Sequence, residues 1–263
     1  MKKRVNGLEK GMRIGVFDSG IGGLTVLAEA LERLPGARYL YFADTASVPY
    51  GDKPRAEVQA CVCAGVDFLA AQGLDALVVA CNTATSVAIA ELRARHPFPI
   101  IGMEPAVKPA LALLPPGSGR ALVLATDLTL REEKFQALVN RIDADARVDY
   151  LSLPGLVAFA EAFQFDPAVV MPYLREATAH LDLAAYGAVV LGCTHFPYFR
   201  RHLAQLLPAG AALVDGNRGT VNNLAAHLGP APAGPGSVAF FESGAPAAPA
   251  RFQRFLAYLA QEG

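Results

Sequence analysis

Two cysteines stand out by the company they keep. "ALVVACNTATS" carries Cys81 with Asn82 and Thr83, and "AVVLGCTHFPY" carries Cys193 with Thr194 and His195. Each follows a run of small aliphatic residues, which reads as a buried strand delivering polar groups to its tip. The two segments align with Cys81 opposite Cys193. In the same order and at nearly the same offset, "RIGVFDS" and "RALVLAT" align with Ser19 opposite Thr126. The recurrence implies two related halves facing each other, each offering one hydroxyl and one thiol.

Two thiols on opposite walls of a cleft suit the inversion of a stereocentre that bears an acidic C–H. One face needs a base and the other an acid, because a single base tends to return the proton to the side it left. A thiol, with a pKa near 8.5 in isolation, ionises more easily at a helix N-terminus. One cysteine then acts as thiolate and the other as thiol, with the roles exchanged for the opposite enantiomer. His195 is placed to carry the proton of Cys193, and Asp18, on the neighbouring strand tip, to do so near Cys81. Ser19, Thr83, Thr194 and the amides around Gly20 are candidates to hold carboxylates. Asn82 offers a donor and an acceptor to an amino-acid head group.

On residue types alone other readings stay open: structural thiols, a binding module for an acidic amino acid, or a redox or metal role. The last lacks a C-x-x-C pair, and no metal site is expected. Cys61 and Cys63 have no nearby histidine or second pair, and Cys61 shares a helical face with Val58, Gly65 and Phe68 that reads as core.

The elements that must position these residues alternate along the chain. Strands are predicted at "RIGVF", "RYLYFA", "ALVVA", "FPII", "ALVLA", "RVDYLS", "AVVLG", "AALV" and "SVAFFE". Helices are predicted over Leu24 to Leu34, Pro54 to Gln72, Val87 to His96, Arg131 to Ile142, Ala168 to Leu181 and Arg251 to Ala260. The fold class is therefore α/β: two similar, pseudo-symmetric domains with mainly parallel sheets and the active site in the cleft between them. The expected division is 12–104 plus 216–263 for the first domain and 105–215 for the second, after a short leader, 1–11. The chain has 263 residues, 53% of them hydrophobic, enough for substantial cores. With 23 basic and 24 acidic residues, nothing points to nucleic acid or an anionic membrane as partner. No apolar run has the length of a membrane span and no secretory h-region is visible, which suggests a cytoplasmic protein with its four cysteines reduced.

Taken together, "GVFDSGIGG", "YFADTASVPYG", "VVACNTATS", "IGMEPAVKP" and "LGCTHFP" resemble, in order and spacing, the signatures of glutamate racemases. The resemblance runs from about Met12 through "FFESGAPAAPARFQRFL". It implies a cofactor-independent enzyme that interconverts L- and D-glutamate, supplies D-glutamate for bacterial peptidoglycan and forms a homodimer. By the same resemblance Cys81 is the base toward D-glutamate and Cys193 the base toward L-glutamate. Asp18 and His195 are their acid/base partners, and Asp44 and Glu161 are supporting carboxylates. Ser19, Tyr50, Gly51, Asn82, Thr83, Thr126 and Thr194, with Asp18 and His195, form the substrate-binding set. The chain departs from the pattern at Phe196, where the family usually has Tyr, at "EAF" beginning with Glu161, where an "EEG"-like ending is usual, and at "VDGN". Aspartate and hydantoin racemases share the two-thiol logic, and pocket length separates them.

Overall fold

The structure, a computed structural model, describes residues 11–115, 119–143, 145–230 and 232–262. Residues 1–10 of the expected leader lie outside the described residues. Aliphatic runs without polar alternation are suited to strands covered on both faces, and they form two largely parallel sheets. The strands are β1 (Arg13–Asp18), β2 (Arg38–Ala43), β3 (Ala76–Val79), β4 (Ile100–Gly102), β5 (Arg120–Ala125), β6 (Val148–Ser152), β7 (Tyr186–Leu191), β8 (Ala212–Asp215), β9 (Ser237–Glu242) and β10 (Ala245–Pro246). Between them run α1 (Leu24–Arg33), α2 (Arg55–Ala71), α3 (Asn82–Arg95), α4 (Val107–Leu113), α5 (Asp127–Arg131), α6 (Glu133–Ile142), α7 (Pro154–Glu161), α8 (Pro167–Thr178), α9 (Arg200–Leu206), α10 (Asn217–Leu228) and α11 (Pro249–Glu262).

The six-stranded sheet has the order β10-β9-β2-β1-β3-β4, and the four-stranded sheet β6-β5-β7-β8. The stretch β2-β1-β3-β4 thus repeats as β6-β5-β7-β8. All neighbours are parallel except β9 and β10. The chain builds β1 to β4, moves to the other sheet for β5 to β8, and returns through α10, which packs on α1, to β9. Two similar α/β layers result. Their strand tips face one another.

One apolar core crosses the seam. Ile14, Val16 and Val78 from the first sheet join Leu122, Leu124 and Leu191 from the second, with Tyr198, Phe252 and Phe255. α11 is a clamp between the halves: Phe252 meets Tyr41 at 5.7 Å between ring centroids, and Phe255 meets Tyr198 at 5.8 Å. The other face of the six-stranded sheet packs Phe17, Phe42 and Val79 against α2 and α3. No helix among the described residues is long and apolar enough to cross a membrane.

Several elements differ from expectation. α3 begins at Asn82, five residues before the predicted start, because Cys81 itself caps it; "TATS" is poor in strong helix formers and hid the first turn. The predicted helix from Arg131 starts instead at Glu133 as α6, because Glu132 is extended (φ −66°, ψ 129°) and Arg131 closes a separate short helix, α5. α4, α7 and the two-residue β10 were not anticipated. Cys61 is half-buried and Cys63 buried. α2 packs against α3 as well as the sheet, so its buried arc extends over Val62, Cys63 and Val66.

α2 approaches the sheet closely at Gly65, where a Cβ would lie 2.5 Å from Phe17 Cε2 and 2.9 Å from Phe42 Cε1. Those rings are themselves stacked at 5.6 Å. Gly65→Ala is expected to destabilise by about 1–2 kcal/mol, the overpacking cost exceeding alanine's helix advantage of about 1 kcal/mol. The midpoint of urea unfolding measures it, and a stabilised variant would contradict the packing.

Candidate active site at the facing strand tips

β1 and β3 are neighbours in one sheet, β5 and β7 in the other, and the four carry candidate site residues at their carboxyl ends. Cys81 ends the β3 run and is the N-cap of α3, its Sγ accepting the N–H of Ala84 at 3.4 Å. Cys193 follows β7, with its Sγ 3.6 Å from Nδ1 of His195. Both thiols are buried, 5% and 9% exposed, and all four cysteines are free.

Burial governs the electrostatics. The Cys81 thiol is pushed up to about 12, first by desolvation, then by the charges of Asp18 and Cys193. The Ala84 N–H and the Ser19 hydroxyl pull the other way and are outweighed. The lowering expected at a helix N-terminus is therefore reversed, because removing the thiolate from water costs more than one N–H and a helix dipole return. Asp18, fully buried, is pushed up to about 6 by desolvation. The His195 charge, the N–H groups of Gly20 (3.1 Å) and Gly23, and the Thr194 hydroxyl (3.1 Å) offset part of this. Burial alone would lower His195, yet hydrogen bonds and charge from Cys193 and Glu161 leave it well above the usual imidazole value.

Glu161, at the end of α7, binds both halves. Its Oε1 accepts the Ile21 N–H at 2.8 Å and lies 2.8 Å from His195 Nε2. Burial raises this carboxyl, but the His195 hydrogen bond and charge, the Ile21 N–H and Arg251 together hold it below its ordinary range. "EAF" in place of the usual ending leaves that geometry intact. Asp44 lies one layer back: Oδ2 accepts from Tyr50 at 2.7 Å and Oδ1 from Ser243 at 3.1 Å. Tyr50 is buried, and desolvation, Asp44 and Cys81 push its hydroxyl upward.

The remaining predicted residues converge on the same seam. Thr83 contacts Thr126 and Thr129 at 2.9 Å each, and Thr126 caps α5. Gly51 packs against Thr126, where a Cβ would lie 2.8 Å from the threonine Cβ. Ser19 and Asn82 are 4% exposed, and Asn82 Oδ1 is buried without a hydrogen-bond partner among the described residues. A buried orphan acceptor on the residue after Cys81 is suited to receive an ammonium group. The hydrogen bonds of Asp18 go to Gly20 and to Thr194 across the seam, so its charge reaches both Cys81 and His195. Thr129, Arg251 and Ser243 were missed. The "TDLT" capping spacing could have revealed Thr129, whereas the other two are joined to the site by tertiary contacts alone.

The sequence profile described as Asp/Glu/Hydantoin racemase matches residues 23–224. The chain belongs to this racemase family. The match takes in both thiols and every predicted site residue except Asp18 and Ser19. Among relatives, the glutamate racemase of Halothermothrix orenii is 54% identical over 213 residues, 81% of this chain and 83% of that one. Glutamate racemase 2 of Bacillus subtilis is 48% identical over 236 residues, 89% of each chain. Among solved structures, glutamate racemase isoform RacE1 from Bacillus anthracis matches with a TM-score of 0.83 and 28% identity, over 96% of this chain and 95% of that one. Escherichia coli glutamate racemase, in complex with L-glutamate and the activator UDP-MurNAc-ala, matches with a TM-score of 0.78 and 31% identity, over 96% of each chain. Racemases of this family are isomerases, and the present chain is an enzyme of that class.

The raised Asp18 carboxyl carries a signed stability consequence for this racemase. A group whose folded value is about 6 instead of 3.8 destabilises the fold when ionised. The penalty is absent below the unfolded value, develops between the two and is complete above the folded one. Asp18→Asn is therefore expected to gain stability relative to wild type between pH 4 and pH 8, by about 2–3 kcal/mol. Denaturant titrations of both proteins across that range measure the difference; a pH-independent gap would exclude an ionised, buried Asp18.

Proposed function

We propose that the chain racemises glutamate by a two-thiol mechanism in which Cys193 serves L-glutamate and Cys81 serves D-glutamate. The observation that carries the reading is the pair of thiols on equivalent strand tips of facing sheets, each with its own proton-handling neighbours. The glutamate specificity draws on the names of the curated relatives.

From the L side, Cys193 gives its proton to His195 Nδ1, whose basicity is raised by Glu161 on the opposite ring nitrogen. The thiolate takes the Cα proton, and the C–H electron pair remains on the substrate as a planar, carboxylate-conjugated carbanion. Cys81, held as a thiol by burial and Asp18, delivers its proton to the other face and becomes the thiolate. The reverse direction exchanges the roles. The ammonium group of glutamate, received by Asn82 Oδ1, brings positive charge beside Cys81 and lowers the cost of ionising it. N–H groups at the start of α3 and the threonine hydroxyls at the seam bind the carboxylates. Acids and bases are side chains throughout, so no cofactor enters the reading. It carries with it a cytoplasmic homodimer supplying D-glutamate for peptidoglycan.

Circular dichroism of L- or D-glutamate incubated with the purified protein, without added cofactor, is expected to decay to zero from either side. In deuterated water the inverted product should carry deuterium at Cα. Cys81→Ala and Cys193→Ala are each expected to lower the rate by about a thousandfold or more, the scale of general acid–base catalysis. Either variant racemising at the wild-type rate would overturn the mechanism, and an unchanged optical signal with wild type would overturn the activity.

A further inference from the structure

Two chains of contacts run from adjacent residues outside the site toward the thiols, one reaching Cys193 and the other ending at Tyr50, in the same buried cluster as Cys81. β9 and β10 form the antiparallel pair at the edge of the six-stranded sheet, with Ser243 and Gly244 in the turn. Ser243 has φ +45°, a conformation held by two hydrogen bonds. Its hydroxyl accepts the N–H of Ala46 at 2.9 Å and donates to Asp44 Oδ1 at 3.1 Å. The other oxygen of Asp44 accepts from Tyr50, which is buried in the same cluster as Cys81.

The neighbouring residue, Glu242, begins the second chain. It pairs with Arg251 at the start of α11, and Arg251 Nη2 reaches Glu161 Oε2 at 3.3 Å. Glu161 Oε1 meets His195 Nε2 at 2.8 Å, and His195 Nδ1 meets Cys193 at 3.6 Å. The Arg251 side chain is 41% exposed, too open for this ion pair to contribute much stability. Its geometry instead fixes the one Glu161 oxygen that does not bind the imidazole.

We propose that Arg251 and Ser243 are positioning residues, Arg251 for the Glu161–His195–Cys193 chain and Ser243 for the Asp44–Tyr50 chain beside Cys81. The β9–β10 turn and the start of α11 then set the balance between the two proton transfers. The proposal rests on the two-thiol reading above.

Because the equilibrium constant of a racemisation is unity, any variant lowers kcat/KM for both enantiomers by the same factor. The balance shows instead in the isotope effect of a Cα deuterium. With L-glutamate the effect reports the Cys193 transfer, and with D-glutamate the Cys81 transfer. Arg251→Ala is expected to lower kcat/KM about fivefold, the scale of one partly exposed ion pair. It should raise the isotope effect on L-glutamate and lower that on D-glutamate, and Arg251→Lys should restore part of both. Ser243→Gly, which removes the hydroxyl without straining the positive-φ backbone, is expected to shift the two effects in the opposite directions. Isotope effects that stay at the wild-type values, or move together in both variants, would overturn the positioning roles while leaving racemisation intact. Wild-type protein that exchanges no Cα proton of glutamate would overturn the reading beneath them.

Discussion

The structure depends on closing a buried seam over ionisable groups without leaving Asp18, Glu161 or His195 unmatched. Asp18, Glu161 and His195 all lie buried or nearly so where the two sheets meet. An unpaired buried charge costs several kcal/mol, so the halves can close only if each supplies what the other lacks. Asp18 from β1 takes the hydroxyl of Thr194 from the β7 tip, and Glu161 from α7 takes the amide of Ile21 from the loop after β1. Tyr198 donates to the Ile21 carbonyl at 3.1 Å, so both backbone groups of one residue are satisfied from across the seam. Such close approach requires the glycines of "DSGIGG". A side chain at Gly20 would enter the Glu161 carboxylate, and one at Gly22 would lie 2.6 Å from Nδ1 of His195.

The repeat supplies the geometry, and its breaking supplies the chemistry. Equivalent strand orders put Cys81 and Cys193 on matching tips, yet the residue two positions on is Thr83 in one half and His195 in the other. Around Thr83 the seam is a neutral cluster of three hydroxyls, Thr83, Thr126 and Thr129. Around His195 it is an ionic chain ending in Arg251. The two thiols therefore face unequal surroundings: burial and the Asp18 charge act on Cys81, and an imidazole stands beside Cys193. In the proposed mechanism unequal bases can serve both enantiomers, because each direction uses both thiols.

What was legible in the sequence followed from locality. Parallel strands buried on both faces betray themselves as aliphatic runs, and their tips are where a run breaks into polar residues, which is how Cys81, Asn82, Thr126, Cys193 and His195 could be singled out. Helix starts were harder. Capping of α3 by a cysteine instead of Ser, Thr, Asp or Asn left no signal at its N-terminus. The amphipathic pattern from Arg131 continued through a break that a single extended residue, Glu132, imposes. Contacts made far along the chain left no trace at all. The partners of Glu161 are Ile21, His195 and Arg251, drawn from a loop, a strand tip and the last helix. No periodicity connects them.

In the proposed mechanism, burial of Cys81 sets both the difficulty of the reaction and its driving force. A Cys81 thiol pushed up to about 12 is rarely ionised, which looks unfavourable for a base. Yet the same desolvation makes the thiolate, once formed, a far stronger base than one in water, and a Cα proton beside a carboxylate demands strength. On the proposed two-thiol reading, the cost of ionisation falls on the step in which the substrate's ammonium group enters beside Asn82, so the base is generated with its substrate present. A thiolate poised in the free enzyme would instead be open to oxidation and to futile exchange. In the proposed mechanism the unmatched Asn82 oxygen and the raised Asp18 carboxyl belong to one arrangement, in which binding energy is converted into basicity when the seam receives a charge.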